Sequence, residues 1–239
     1  MIIAIDSGNT SSKIGVFKEG KLVNIFEKRS YESLIQQAKI LDPDQIIIAT
    51  VNYPLQELIK DLSSYKIFSV TNKTLIPIKI KYNTPETLGI DRIALSVGAW
   101  NEFPNRNILI IDSGTCITYD FVNSKGYFLG GGISPGMDIK LKSLHQYTAN
   151  LPLVKLTENP ELIGDSTENS ILSGVVHGTY AEISGIIKLF TDKFTDIIVV
   201  FSGGNVKFFE TKLKDRIFAI PNLVLRGLYS IFLYNDRKA

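Results

Sequence analysis

Two aspartates 106 residues apart, Asp6 and Asp112, each end a short apolar run and each open an Asp-Ser-Gly turn. Ile2 to Ile5 precedes Asp6-Ser7-Gly8-Asn9-Thr10, and Ile108 to Ile111 precedes Asp112-Ser113-Gly114-Thr115. A strand-like run follows each turn, Lys13 to Phe17 and Ile117 to Val122. Glycines come next at Gly20 and Gly126, again 106 apart, and third runs follow at Leu22 to Phe26 and Tyr127 to Leu129. The unit reads strand, polar turn, strand, glycine turn, strand. Two unrelated hairpin systems could each hold one such tripeptide. Apolar-flanked copies with their turns in register favour an internal duplication.

Each meander gives way to helical periodicity. Ser33 to Leu41 places Leu34, Ile35, Ala38 and Leu41 on one face, and Pro54 opens a run with Leu55, Leu58, Ile59 and Leu62 at helical spacing. Glu86 to Trp100, Asp138 to Tyr147, Asp165 to Phe190 and Asn222 to Tyr234 are further helices, the third of these capped in the D-x-x-E pattern of Asp165 and Glu168. Gln45 to Ala49 and Ile197 to Phe201 are continuously apolar, as strands covered on both faces are. The reading is an α/β fold of two duplicated halves, 1–105 and 106–239, joined at Phe103 to Asn107. Gly174, Gly178, Ala181 and Gly185 form a small-residue stripe on the long helix, read as close packing against another helix, internal rather than from a second subunit.

Composition narrows the function. With 26 basic and 24 acidic side chains in 239 residues, the chain lacks the basic field of a non-specific nucleic-acid binder. No apolar run approaches the roughly 18 residues that span a bilayer, and the N-terminus meets Asp6 too soon for a signal peptide. The single cysteine, Cys116, is read as a buried, inert thiol, and a cytoplasmic location is expected. His145 is expected to face solvent and His177 to pack on the long helix, neither at metal-ligand spacing.

The chemistry-bearing residues sit in the turns. Small residues around Gly8 and Asn9 let backbone N–H groups approach phosphate oxygens. Ser7, Thr10, Ser11 and Ser12 add hydroxyls, and Lys13 adds a positive charge. Asp6 suits Mg²⁺, directly or through water. The spacing is not that of a Walker loop, and a plain polar turn explains one copy alone. Asp112 and Thr115 form a second phosphate jaw, with an interdomain cleft implied. Gly203 and Gly204 end a buried strand where a nucleotide could approach backbone, although glycine there also serves packing. Gly89-Ile90-Asp91-Arg92 opens a helix, read equally well as a base with an anion anchor or as a surface charge pair.

Taken in order, Asp6 to Lys13, Gly89 to Arg92, Asp112 to Thr115, Gly131-Gly132-Ile133-Ser134-Pro135-Gly136 and Ser202-Gly203-Gly204 resemble the motifs of type III pantothenate kinases. These belong to the acetate and sugar kinase, heat-shock chaperone and actin superfamily. The resemblance implies two ribonuclease-H-like domains, a homodimer, and ATP-dependent phosphorylation of pantothenate to 4′-phosphopantothenate, the first step of coenzyme A synthesis. It implies Asp91 as proton acceptor and Tyr82, Gly89, Ile90, Asp91, Arg92 and Thr167 as substrate contacts. Asp6, Ser7, Gly8, Asn9, Thr10, Ser11, Ser12, Lys13, Thr115, Gly203 and Gly204 would bind ATP. Asp6 would serve Mg²⁺, and Asp112 a monovalent cation, K⁺ or NH₄⁺. A non-catalytic nucleotide-binding regulator, or a kinase for another small hydroxyl substrate, is the alternative.

Overall fold

A computed structural model describes residues 1–213 and 217–237. In chain order the strands are β1 (Ile2–Ser7), β2 (Ser12–Lys18), β3 (Lys21–Lys28), β4 (Gln45–Thr50), β5 (Lys66–Ser69), β6 (Lys79–Ile80), β7 (Asn107–Ser113), β8 (Cys116–Val122), β9 (Tyr127–Pro135), β10 (Ile197–Ser202) and β11 (Phe218–Ala219). The helices are α1 (Tyr31–Leu41), α2 (Leu55–Asp61), α3 (Ile90–Glu102), α4 (Met137–Gln146), α5 (Thr167–Lys193), α6 (Val206–Leu213) and α7 (Leu223–Asp236). They form two compact units. The first takes Met1–Asn105, Val122–Gly130 and the chain from Asn222 onward; the second takes Arg106–Phe121 and Gly131–Pro221.

In the first unit the sheet runs β3-β2-β1-β4-β5. β1 lies antiparallel to β2 and parallel to β4. Ile3, Ile5, Ile46, Ile47 and Ile48 are fully buried, because these central strands are covered on both faces. Edge strand β3 leaves Leu22, Ile25, Phe26 and Lys28 half-buried and exposes Lys21, Val23, Asn24 and Glu27. Ser30 caps α1 through a reciprocal capping box with Ser33, which satisfies two donors that the first turn leaves orphaned.

Helix α7 belongs to this unit, where the sequence reading assigned it to 106–239. Gly227 explains the difference: a Cβ there would stand 1.8 Å from the Ala94 carbonyl oxygen of α3, so α7 lies backbone to backbone on α3. Strand β6 pairs with the first residues of β9, Lys79 with Tyr127 and Ile80 with Phe128, all within the first unit.

In the second unit the strands follow in the order β11-β10-β7-β8-β9, with β10 parallel to β7 from Ile197–Asn107 to Ser202–Asp112. Leu109, Ile111, Ile117, Phe201 and Phe209 are buried with Met137 of α4 and Ile183 and Ile187 of α5.

Several boundaries differ from the sequence reading. Helix α3 begins at Ile90 rather than Glu86, because Pro85–Thr87 forms a separate 3-10 turn and Gly89 is the N-cap. Helix α5 is capped by Ser166, whose hydroxyl accepts from the Asn169 N–H at 3.2 Å, and not by Asp165. Cys116 is half-buried rather than buried. His145 is exposed, with Nδ1 2.8 Å from the Leu151 carbonyl, and His177 is half-buried, with Nε2 3.0 Å from that of Pro160. The small-residue stripe is not packed internally: Gly174, Gly178, Ala181 and Gly185 are exposed, and a Cβ at any of the three glycines would meet nothing within 4 Å. Strands β5, β6 and β11 and helix α6 are additional to the elements expected from the sequence.

Candidate active site

The first polar turn spans residues 8–11, closed by the Gly8 N–H on the Ser11 carbonyl at 3.2 Å. Asp6 is the penultimate residue of β1, opposite Lys13, and is half-buried. Ser7 and Ser12 point inward, where their hydroxyls pair at 3.0 Å in a buried site. They hold the turn closed. Asn9 and Thr10 are exposed at the tip, and Gly8 and Ser11 are half-buried. Lys13 Nζ lies 3.5 Å from Asn222 Oδ1, the left-handed N-cap of α7. That tie between hairpin and helix is too distant in sequence to be foreseen.

The second turn is tighter, spanning only 114–115, with the Gly114 N–H on the Cys116 carbonyl at 2.9 Å. Two glycine segments grip it. Gly136 donates to the Thr115 carbonyl at 3.0 Å, and a Cβ there would lie 2.3 Å from the Gly114 oxygen. Gly203 has φ +99°, and a Cβ there would lie 2.4 Å from the Ser113 oxygen. Asn205 completes the seat: its N–H donates to the Ser113 carbonyl at 3.0 Å and its amide to that of Gly114 at 3.4 Å. Asp112 and Thr115 are half-buried here, and Gly204 is exposed with open space around it. The glycines at 136 and 203 are thus required by close backbone approach, and Gly204 is not.

The Gly89-Ile90-Asp91-Arg92 segment lies in the first unit. Gly89 caps α3, and Asp91 folds back over it: Oδ1 accepts from the Arg92 N–H at 2.8 Å and would lie 2.3 Å from a Cβ at Gly89. Only glycine leaves room for that carboxylate, which also sits favourably in the first turn of a helix. Ile90 is buried. Arg92 is 7% exposed, its guanidinium 5.9 Å from the Tyr82 ring centroid and 5.8 Å from that of Phe128. Tyr82 and Phe128 meet edge to face at 6.0 Å, and Gly130, with φ +92°, lets the Tyr82 ring approach the backbone. Tyr82, Gly89, Asp91 and Arg92 are therefore one constellation. Thr167 is in the second unit, exposed in the first turn of α5.

Among the described residues no group of three or more His, Cys, Asp or Glu side chains forms a metal cage. Mg²⁺ in phosphoryl-transfer sites needs only one or two carboxylates, with substrate phosphates and water completing its shell. Asp6 fits that requirement, and Asp112 offers one carboxylate beside the carbonyl-rich second turn.

The Gly131–Gly136 segment is anchored to the helices by a polar cluster. Glu182 accepts from Tyr119 at 2.8 Å and from Lys140 at 2.6 Å, and Lys140 also donates to Thr179 at 2.9 Å. Burial opposes ionisation of Glu182, but hydrogen bonds from Lys140, Ser134 and Tyr119 outweigh it and hold its carboxyl below the usual range. Burial and Glu182 push the Tyr119 phenol far up, keeping it a donor. A carboxyl that titrates lower folded than unfolded stabilises the fold above its unfolded pKa of about 4.3 and loses that contribution as pH falls through the folded value. Glu182→Gln should lower Tm at pH 7 by roughly 2–8 °C, from about 1–2 kcal/mol of lost charged hydrogen bonds. It should also flatten the Tm decline between pH 5 and pH 3, as read by calorimetry; an unchanged acid slope contradicts this account.

The duplicated α/β units, each with an Asp-Ser-Gly turn after its first strand, define a ribonuclease-H-like fold. A protein from Campylobacter jejuni named for the Baf family of transcriptional activators shares it, at a TM-score of 0.65 and 22% identity over 98% of this chain and 99% of that one. Residues 2–189 match the profile of the type III pantothenate kinases. A type III pantothenate kinase of Christiangramia forsetii is 43% identical over the whole of both chains. That of Cytophaga hutchinsonii is 43% identical over 98% of this chain and all of its own. The chain belongs to the type III pantothenate kinase family.

Proposed function

We propose that the chain transfers the terminal phosphoryl group of ATP to the hydroxyl of pantothenate that becomes the 4′-phosphate, with Asp91 as proton acceptor. The carrying observation is the seating of the Asp91 carboxylate over Gly89, fixed by the Arg92 N–H and next to the Arg92–Tyr82 stack. A base held in one rotamer at the start of a helix meets the positional demand of proton transfer. As the hydroxyl oxygen bonds to the γ-phosphorus, the bond to the β–γ bridging oxygen breaks, ADP leaves, and the hydroxyl proton passes to Asp91.

The residues near Gly8, with Lys13, bind the phosphates of ATP, as do Thr115 and the Gly203–Gly204 strand end. Backbone donors and one lysine suit an anion whose charge spreads over equatorial oxygens during transfer. Ser7 and Ser12 contribute by closing the turn rather than by donating to phosphate. Asp6 would hold Mg²⁺, which would supply charge neutralisation when ATP is bound. Asp112 is the proposed ligand of K⁺ or NH₄⁺. Gly89 to Arg92 and Tyr82 hold pantothenate, with Thr167 as a further contact. The reaction belongs to coenzyme A synthesis, and a cytoplasmic location fits a chain in which no described helix is long and apolar enough to cross a membrane.

The exposed stripe of Gly174, Gly178, Ala181 and Gly185 supports a homodimer, since small residues on an uncovered helix face permit close helix approach. Light scattering should give twice 26.6 kDa for the native chain, and Gly178→Glu should give the single mass; a monomeric native protein contradicts the dimer. Kinase specificity is tested by coupled ADP release with pantothenate or with hexoses as acceptor, with and without K⁺. Turnover on hexoses alone, or nucleotide binding with no turnover, overturns the reading.

A further inference from the structure

The base at Asp91 rests on a short linker that is held from within its own stretch of chain only by cap bonds, the Leu88 N–H to the Pro85 carbonyl at 3.3 Å and the Ile93 N–H to the Gly89 carbonyl at 3.1 Å. Between the 3-10 turn at Pro85–Thr87 and the first residue of α3 stand Leu88 and Gly89. Displacing Gly89 moves the surface against which the Asp91 carboxylate lies.

One side chain ties this segment down. The Asn72 amide nitrogen lies 2.8 Å from the Pro85 carbonyl, 3.0 Å from that of Glu86 and 3.0 Å from that of Leu88. An amide NH₂ has two hydrogens, so one is shared between two acceptors. Three carbonyls around one atom also fix which end of the amide faces them. Asn72 is itself presented by a braced turn: the Thr71 N–H donates to Thr74 Oγ1 at 2.9 Å, and the Thr74 N–H to the Thr71 carbonyl at 3.0 Å. The path therefore runs from a rigid turn through one amide to the Leu88 carbonyl, then across one peptide to Gly89 and the carboxylate resting on it.

We infer that Asn72 is a positioning residue for this reaction, acting through Asp91 by tethering Leu88 and Gly89. The inference rests on the reading of Asp91 as the base. The Asn72 amide bonds to these three backbone carbonyls rather than to the Asp91 carboxylate, and its effect is on how often that carboxylate occupies its working rotamer. Misplacement of about 1 Å can cost on the order of 100-fold in rate.

The test is a double-mutant cycle of Asn72→Ala and Asp91→Asn, read by single-turnover ADP release at saturating ATP and pantothenate, with hydrogen exchange across residues 84–92. Asn72→Ala should lower kcat by roughly 10- to 100-fold, leave the KM for ATP unchanged, and speed exchange at Leu88 to Arg92. In the Asp91→Asn background the same substitution should change the residual rate less than about twofold, because residues acting in series are not additive. An equal fold-loss in both backgrounds overturns the inference, since Asn72 would then act independently of Asp91. Unchanged exchange across 84–92 overturns it as well. Wild-type turnover in Asp91→Asn alone instead defeats the base assignment, and the exchange data then decide the tether separately.

Discussion

Asp91→Asn is expected to lower kcat for pantothenate-dependent ADP release by roughly 10²- to 10⁴-fold, the range that a positioned general base contributes. That corresponds to about 3–5 kcal/mol of barrier. Asparagine keeps the size of the side chain and the oxygen that accepts from the Arg92 N–H at 2.8 Å. The start of α3 and the cover over Gly89 should therefore persist, and Tm should stay within a few degrees. Only the capacity to take a proton is removed. The KM for ATP should not change, because the phosphate-binding turns lie on other elements. Stopped-flow or coupled assays with thermal melting separate these effects; a variant that unfolds, or one that turns over at the native rate, contradicts the assignment.

The second large effect is predicted at Gly203. A methyl group there would stand 2.4 Å from the Ser113 oxygen and 2.6 Å from its nitrogen, on a residue whose φ is +99°. Overpacking against backbone costs about 1–3 kcal/mol, and the positive φ adds about 1–2 kcal/mol for any residue with a Cβ. Gly203→Ala should lower Tm by roughly 4–20 °C. It should also weaken ATP binding, because relief of the clash must move the turn that carries Thr115. Gly204→Ala provides the contrast. Nothing lies within 4 Å of a Cβ at Gly204, so the variant should melt within about 2 °C of the native chain. If a nucleotide approaches this backbone, its KM for ATP rises severalfold without loss of stability. Equal melting of the two variants would contradict the packing account.

These cases show what was legible before the structure. The duplication was readable because Asp-Ser-Gly after an apolar run is a dense local signal. Yet the even spacing of 106 conceals an exchange. The first turn, residues 8–11, is two residues longer than its counterpart at 114–115, and the second, residues 19–20, is two shorter than that at 123–126. The differences cancel between the aspartates and the glycines, so counting residues could not show them. The compact units divide at Asn105 and Arg106, within the polar stretch Phe103 to Asn107, but the placement of α7 was not legible. It depends on Gly227 meeting Ala94, a contact between residues far apart in sequence. The stripe on α5 was recognised as small residues, but periodicity alone does not say what faces them. Asn72 carried no signal at all: a lone asparagine between threonines in a loop looks like turn chemistry, and its three carbonyl partners emerge only once Pro85 to Leu88 are placed.

The site itself was read as residue types more reliably than as orientations. Ser7 and Ser12 look like two more hydroxyls for phosphate, but strand alternation turns both to the buried face, where they bond to each other. Arg92 looks like an exposed anion anchor and is instead enclosed between Tyr82 and Phe128. The helical offset of about 100° between neighbours separates it from Asp91, which remains half-buried at the helix start.

The most direct measurement follows the product. Purified chain, ATP, Mg²⁺, K⁺ and pantothenate are incubated, and the mixture is analysed by mass spectrometry for 4′-phosphopantothenate, with Asp91→Asn run in parallel. The account predicts stoichiometric 4′-phosphopantothenate and ADP from the native chain and a rate lower by two or more orders of magnitude from the variant. ADP formed without phosphorylated pantothenate, or no product from folded, ATP-binding native protein, would contradict it.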